Sequence, residues 1–129
     1  MLKKICLGAA FIWTGIILCL CLVRMSELPA ITIPYVDKIV HAFFYFLFSL
    51  LWFYALRFYF NKQRRAKLLM IVFFLALFFG IAIELFQNYL TTYRNGDVLD
   101  VIANTSGSLL AIFVIILLDK KDFLSKISK

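Results

Sequence analysis

Polar and ionisable residues recur at helical spacing in three stretches of an otherwise apolar chain. Asp37 and His41 are four residues apart, and Glu84 and Gln87 are three apart. A third group continues the pattern at spacings of three and four: Asp97, Asp100 and Asn104. Residues three or four apart share one face of a helix. A carboxylate and an imidazole held in this way can transfer protons or bind a polar ligand, and a desolvated carboxylate can act as acid or base.

The elements that must position these residues follow from composition. The chain has 129 residues, 64% of them hydrophobic, and a mean hydropathy of +0.96. A soluble domain of this length cannot bury so much apolar surface. Apolar runs of about 18 or more residues are long enough to cross a bilayer, and four occur: 5–23, 39–60, 68–90 and 98–118. We expect an all-α fold, an integral membrane four-helix bundle that forms one transmembrane domain over residues 1–129.

The basic residues indicate how this bundle is oriented. The net charge is +7, but the cations cluster at both termini and in the 61–67 loop instead of along one polar face. This placement argues against a nucleic-acid partner. Cytoplasmic loops carry an excess of Lys and Arg, so both termini and the 61–67 loop are predicted to be cytoplasmic. We expect a membrane protein with several spans and the lipid bilayer as its main partner.

The predicted depths of the polar residues agree across three antiparallel spans. His41, Glu84 and Asn104 each fall about one to one and a half turns inside the outer boundary. Four further charged residues lie above them: Asp37, Arg94, Asp97 and Asp100. Ionisable residues within spans are costly and usually functional. We therefore expect one shared, outward-facing polar site, with small residues such as Gly80 and Gly107 allowing close helix packing around it.

The same residues resemble the VanZ-like family of small membrane proteins. The resemblance rests on four blocks in the family's order: DKxxH (Asp37, Lys38, His41), ExxQ (Glu84, Gln87), RxxDxxD (Arg94, Asp97, Asp100) and NxxG (Asn104, Gly107). The chain departs from the family's pattern at Thr92-Tyr93, where a Pro-Gly turn is frequent, and at Ala111, where a second glycine often stands. The resemblance implies an integral membrane protein, which we expect in the bacterial cytoplasmic (inner) membrane. The family's namesake is associated with low-level resistance to the glycopeptide teicoplanin.

Three functions remain open at this point. The first is a binding protein whose outward-facing pocket holds or modulates a cell-envelope component, such as a lipid-linked cell-wall precursor or a glycopeptide. Its expected ligand-binding residues are Asp37, Lys38, His41, Glu84, Gln87, Arg94, Asp97, Asp100 and Asn104. The residues predicted on the outer side carry a net charge of −2, from five acids and three bases: Glu27, Asp37, Glu84, Asp97 and Asp100 against Arg24, Lys38 and Arg94. That sign disfavours a simple phosphate site and allows an amine, a hydroxyl-rich sugar, a cation or a protonated acid.

The second function is a membrane-embedded hydrolase or transferase acting on a lipid-linked envelope substrate. Its candidate catalytic residues are Glu84, His41 and Asp100. The third is a purely structural network, in which Arg94 would pair with Asp100 and His41 with Glu84. A divalent metal on His41, Glu84 and Asp100 is chemically conceivable, but no metal-binding spacing supports it. We expect neither a metal nor a cofactor.

Overall fold

The computed structural model describes residues 1–22, 36–60, 64–90 and 98–127. Every regular element in these ranges is an α-helix: α1 Leu2–Leu22, α2 Val36–Tyr59, α3 Arg65–Leu90 and α4 Val98–Ile127. Each helix contains a stretch long and apolar enough to cross a membrane: Lys3–Cys21, Lys38–Tyr59, Arg65–Tyr89 and Val98–Leu118. The predicted all-α, four-helix class is confirmed, and each predicted span end lies within three residues of the observed stretch.

Helix α2 is the centre of the arrangement. It packs against α1, α3 and α4, and its most extensive contact is with α4. Helix α3 also contacts the three other helices. Between the described residues of α1 and α4 there is no such contact. The first and last helices therefore lie on opposite sides of the α2–α3 pair.

Two apolar clusters fill the interior, one towards each end of the bundle. The first contains Tyr45 and Phe48 of α2 with residues from the later half of α1 and from the middle and later part of α3. Within it the rings of Phe48 and Phe79 stack with a centroid separation of 5.2 Å. The second cluster joins Phe53 of α2 to the start of α3 and to Ile115 of α4. The first cluster lies directly inside the level of His41, Glu84 and Asn104, so these polar side chains pack against apolar side chains on their inner side.

Side-chain hydrogen bonds attach α1 to α2. The indole Nε1 of Trp13 donates to the backbone oxygen of Phe44 over 2.9 Å. The indole Nε1 of Trp52 donates to the Thr14 hydroxyl over 3.0 Å. A buried indole N–H usually finds such a partner. These two bonds fix both the rotation and the height of α1 against α2.

Helices α2 and α4 approach most closely at Gly107. A Cβ atom at this position would lie 2.0 Å from the backbone oxygen of Ala42, so only glycine fits. One residue further on, the hydroxyls of Ser49 and Ser108 are 2.8 Å apart and both are buried. Ala111, the next small residue on this face of α4, is fully buried. The predicted close packing along the Gly107–Ala111 face is confirmed.

The outer surface of the bundle is apolar. Large hydrophobic side chains are exposed on every helix, including Ile12, Phe43, Phe78 and Phe113. In water such a surface would drive aggregation, whereas acyl chains solvate it without cost. Lipid is therefore the natural surrounding of these helix faces.

Candidate functional site

Five buried polar side chains converge at one end of the bundle. At this end, called the site end below, α1 and α3 finish and α2 and α4 begin. The five residues come from three helices: His41, Glu84, Gln87, Asp100 and Asn104. Each is at most 7% exposed. Because chain direction alternates from helix to helix, residues far apart in sequence reach the same layer.

Asp100 links α4 to two residues of α2. Its Oδ1 accepts a hydrogen bond from the Lys38 ammonium, and the two groups form an ion pair. Its Oδ2 lies 3.7 Å from Nε2 of His41. Asp100 is in the first turn of α4, where the helix dipole favours a negative charge. One carboxylate therefore pairs with an ammonium and lies beside an imidazole.

Gln87 attaches the end of α1 to α3. Its Nε2 donates to the backbone oxygen of Cys21 over 2.7 Å, and the bond is buried. The last carbonyls of a helix have no partner within that helix, and Cys21 is in the final turn of α1. The Gln87 amide satisfies one of these carbonyls and so holds the end of α1 against α3 beside the polar layer.

Asn104 is the innermost polar residue of the site and is 2% exposed. It faces Gly80, where a Cβ atom would lie 3.1 Å from the Asn104 amide nitrogen and 3.6 Å from Cε1 of Tyr45. Within the described part of the chain, neither the Asn104 amide nitrogen nor its oxygen makes a hydrogen bond. The same holds for the hydroxyl of Tyr45. An amide and a phenol therefore border one small residue with hydrogen-bonding capacity to spare.

Glu84 lies one turn nearer the site end than Gly80, on the same face of α3. It is 7% exposed. The expectation that Gly80 lets another helix approach this face is confirmed, because the Asn104 side chain of α4 occupies the space beside it. Glu84 and Asn104 are thus on neighbouring levels of one α3–α4 contact.

Some predicted site residues fall outside the description. Arg94 and Asp97 lie in the 91–97 segment, outside the described residues, and Asp37 is in the first turn of α2 with its side chain not described. The pairing of Arg94 with Asp100 and that of His41 with Glu84 stay predictions. Among the residues that the structure does describe, no group of three or more His, Cys, Asp or Glu could hold a metal ion.

Sequence reasoning overlooks three polar contributors. The spacing puts Tyr45 on the same face as His41 without indicating a part in the site, and it does not foresee the Ser49–Ser108 contact. A signal is present: Ser49 follows His41 by eight residues and Ser108 follows Asp100 by eight. Eight residues are close to two full turns and small hydroxyl residues favour helix contacts in membranes, so both faces could have been extended inward.

Four membrane-spanning helices with a buried polar cluster at one end define a small multi-pass membrane protein. The chain belongs to the VanZ/LLP1 family, whose model matches residues 8–119. It is also similar to an uncharacterized protein of Schizosaccharomyces pombe, with 33% identity over 93 residues. That alignment covers 72% of this chain and 54% of the relative, so the chain spans about half the relative's length. No solved structure matches the chain significantly.

Proposed function

We propose that this VanZ/LLP1 protein binds a polar part of a cell-envelope component at the site end of its bundle and thereby modulates that component. One observation carries the proposal. The site gathers an ammonium, a carboxylate, an imidazole and amides from three helices into one buried layer, and Asn104 retains unused hydrogen-bonding groups there. Buried polar groups are normally satisfied, and a ligand would satisfy these.

The roles within the site follow from its contacts. Lys38 and Asp100 form an ion pair, so neither presents a bare charge, and each can exchange its partner for a ligand group of matching charge. His41, 3.7 Å from Asp100, supplies a neutral or cationic donor. Gln87 is engaged by the Cys21 carbonyl, which assigns it a positioning role. In our proposal Asp37, Arg94 and Asp97 complete the rim.

The envelope component is proposed to be a lipid-linked cell-wall precursor or a glycopeptide, and the physiological result low-level resistance to teicoplanin. The proposed location is the bacterial cytoplasmic membrane with the site end facing outward and both chain termini in the cytoplasm. Family membership supports this proposal. The similarity to a protein from a yeast extends this kind of sequence beyond bacteria, so we define the ligand by its chemistry and not by one drug.

A second candidate function is a hydrolase or transferase acting on a lipid-linked envelope substrate. The position of His41 beside the Asp100 carboxylate favours it, because a carboxylate can fix the tautomer and orientation of an imidazole. Glu84, buried in the same layer, would be the acid or base. The remaining alternative is a structural network in which the polar groups only hold the helices together.

Teicoplanin susceptibility tests the proposal. Cells expressing the wild type, Glu84→Gln or Asp100→Asn are compared, with membrane abundance measured by blot. Both substitutions keep the size of the side chain, and the amide introduced by Asp100→Asn would keep an oxygen acceptor for Lys38. We expect the wild type to protect and both variants, at equal abundance, to lose protection. Absence of protection by the wild type would refute the glycopeptide link, and reduced abundance of both variants would favour the structural network.

The proposed orientation has its own test. The three native cysteines are first replaced by alanine. A cysteine introduced at Asn95 should then react with a membrane-impermeant maleimide in intact cells, while one at Lys62 should react only after permeabilisation. The opposite pattern would place the site end in the cytoplasm.

A further inference from the structure

The inner end of the polar layer has a composition that points to a particular ligand chemistry. Asn104 and Tyr45 are 2% and 0% exposed, so bulk water does not reach them. Leaving a buried polar group without a hydrogen bond costs about 1–3 kcal/mol. Leucine and phenylalanine would avoid this cost at similar volume. These two residues therefore indicate a guest that forms the missing hydrogen bonds.

The two groups are placed to act on one guest. Both the Asn104 amide and the Tyr45 ring border Gly80, at 3.1 Å and 3.6 Å from the position of a Cβ atom there. A Cβ atom at Gly80 would press on the Asn104 amide and touch the Tyr45 ring, so glycine lets both side chains lie against α3. Gly80 thus keeps an amide and a phenol adjacent without a third side chain between them.

The chemistry of the pair favours hydroxyl groups. An amide offers two N–H donors and a carbonyl acceptor, and a phenol both donates and accepts. Neither residue carries a charge that would attract a phosphate or an ammonium. A hydroxyl also donates and accepts at one atom, so a polyol can satisfy both residues at once. Among the charged groups of the site, Lys38 and Asp100 lie further out, and Glu84 lies one turn nearer the site end than Gly80.

The depth of the pair fits the size of a sugar ring. Asn104 follows Asp100 by one helical turn, which is about 6 Å along α4. A lipid headgroup that extends past the Lys38–Asp100 ion pair would therefore need to reach about 6 Å further to contact Asn104. The polar layer around the Asn104–Tyr45 pair is acidic or neutral overall. Its acidic residues with described side chains are Glu84 and Asp100, and its described lysine is Lys38. A neutral polyol enters such a layer at lower electrostatic cost than an anion.

We infer that Asn104 and Tyr45 form a hydroxyl-binding subsite that takes the sugar or glycerol headgroup of a membrane lipid. The inference rests on the proposed function and gives its ligand a chemical class. The same hydroxyls could be presented by a free sugar, and the experiment separates these sources. It also gives Tyr45 a binding role at the innermost level of the site.

The test uses the full chain in phosphatidylcholine nanodiscs. Monoglucosyl diacylglycerol is titrated, with diacylglycerol as the matched lipid lacking the sugar and methyl glucoside as the free sugar. Binding is followed by the unfolding temperature and by native mass spectrometry, because a ligand that binds the folded state raises its stability. We expect the glucolipid to bind more tightly than diacylglycerol. Equal binding of methyl glucoside would support the subsite and assign it to free sugars.

Two variants and a control localise the effect. Tyr45→Phe removes only the hydroxyl, and the loss of about 1 kcal/mol per hydrogen bond predicts about fivefold weaker glucolipid binding. Asn104→Leu removes two or more bonds and should weaken binding by about thirtyfold. Ser49→Ala is the control. It removes a buried hydroxyl from α2, the helix that carries Tyr45, but this hydroxyl is already hydrogen-bonded to Ser108, so glucolipid binding should be unchanged.

The inference and the proposed function can fail separately. Glucolipid binding no tighter than diacylglycerol binding, or equal binding by the wild type and Tyr45→Phe, would overturn the hydroxyl subsite and leave only ordered water at Asn104. If Asp100→Asn still abolished teicoplanin protection, the proposed function would stand without this subsite. A third outcome is also possible: the wild type binds the glucolipid, Tyr45→Phe and Asn104→Leu weaken that binding, and the wild type gives no teicoplanin protection. This result would support the subsite and refute the glycopeptide link.

Discussion

The α2–α4 contact contains two polar layers that differ in how their hydrogen-bonding groups are satisfied. The outer layer, at the site end, has His41, Asp100 and Asn104. The inner layer has Ser49 and Ser108, and at 1.5 Å per residue it lies about 12 Å deeper than His41 and Asp100 and about 6 Å deeper than Asn104. The two serine hydroxyls satisfy each other over 2.8 Å, whereas the Asn104 amide has no hydrogen bond within the described residues.

This difference teaches how to separate structural from functional polarity in a membrane bundle. Both layers are buried, and both join the same two helices. The inner layer is closed, because small hydroxyls beside Gly107 meet directly and leave no space between the backbones. The outer layer holds larger groups with hydrogen-bonding capacity left over. Spare capacity, and not burial or polarity alone, is the observation that supports our proposal of a ligand in the outer layer.

The largest expected effect comes from Gly107→Ala, which would break both layers. The new methyl group would lie 2.0 Å from the Ala42 backbone oxygen, so α2 and α4 must separate. Overpacking of this kind costs about 3 kcal/mol or more when backbone has to move. We expect a large fall in the unfolding temperature in detergent, or no folded protein. The matched control is Gly15→Ala, because nothing lies within 4 Å of a Cβ atom there; equal losses in both variants would contradict the close contact.

A smaller effect is expected from the ion pair in the outer layer. Asp100→Leu removes the Asp100 carboxylate from the Lys38 ammonium, which is 19% exposed, and should cost about 2 kcal/mol of unfolding free energy. The double variant Lys38→Met/Asp100→Leu removes both charges and should recover at least half of that loss. The unfolding free energies of the wild type, the Asp100→Leu and Lys38→Met single variants and the double variant, measured in detergent, form a double-mutant cycle. Strictly additive losses would show that this ion pair does not hold α2 to α4.

The smallest effect is expected in the inner layer. Ser49→Ala leaves the Ser108 hydroxyl buried without its partner and should cost about 1 kcal/mol. The double variant Ser49→Ala/Ser108→Ala should cost less than the sum of the single variants, since no orphaned hydroxyl remains. Unfolding measurements give the coupling, and teicoplanin susceptibility should match the wild type. A loss of protection at normal abundance would assign the inner layer a functional role and remove the contrast between the layers.

The sequence was sufficient to predict the helices and the polar layer. Spans follow from hydrophobic length, and the common depth of His41, Glu84 and Asn104 follows from antiparallel helices of similar length. The partner of each polar group was harder to predict. The pairing of Asp100 with Arg94 stays a prediction, because Arg94 lies outside the described residues, and the sequence does not indicate the Lys38 partner that the structure shows. Such choices depend on which helices are neighbours and how each is rotated, and a hydrophobic run with apolar residues on all sides does not specify its rotation.

Small residues were informative only where they made contact. Gly107 and Gly8 look alike in sequence, since each lies within an apolar span beside other small residues. The first meets the Ala42 backbone, and a Cβ atom on the second would have no neighbour within 4 Å. The difference arises because α4 contacts α2 along that face, while Gly8 lies near the other end of α1, which among the described residues contacts α2 and α3 and not α4. Helix neighbours, and not residue type, decided which glycine is essential.

The attachment of α1 has a spectroscopic consequence. The chain contains two tryptophans, and the indole of each donates a hydrogen bond across the α1–α2 contact. Its tryptophan fluorescence therefore originates entirely from that contact. Excitation of the indoles would report the docking of the first helix in real time, because release of α1 would change the surroundings of both indoles and shift their emission without any added dye.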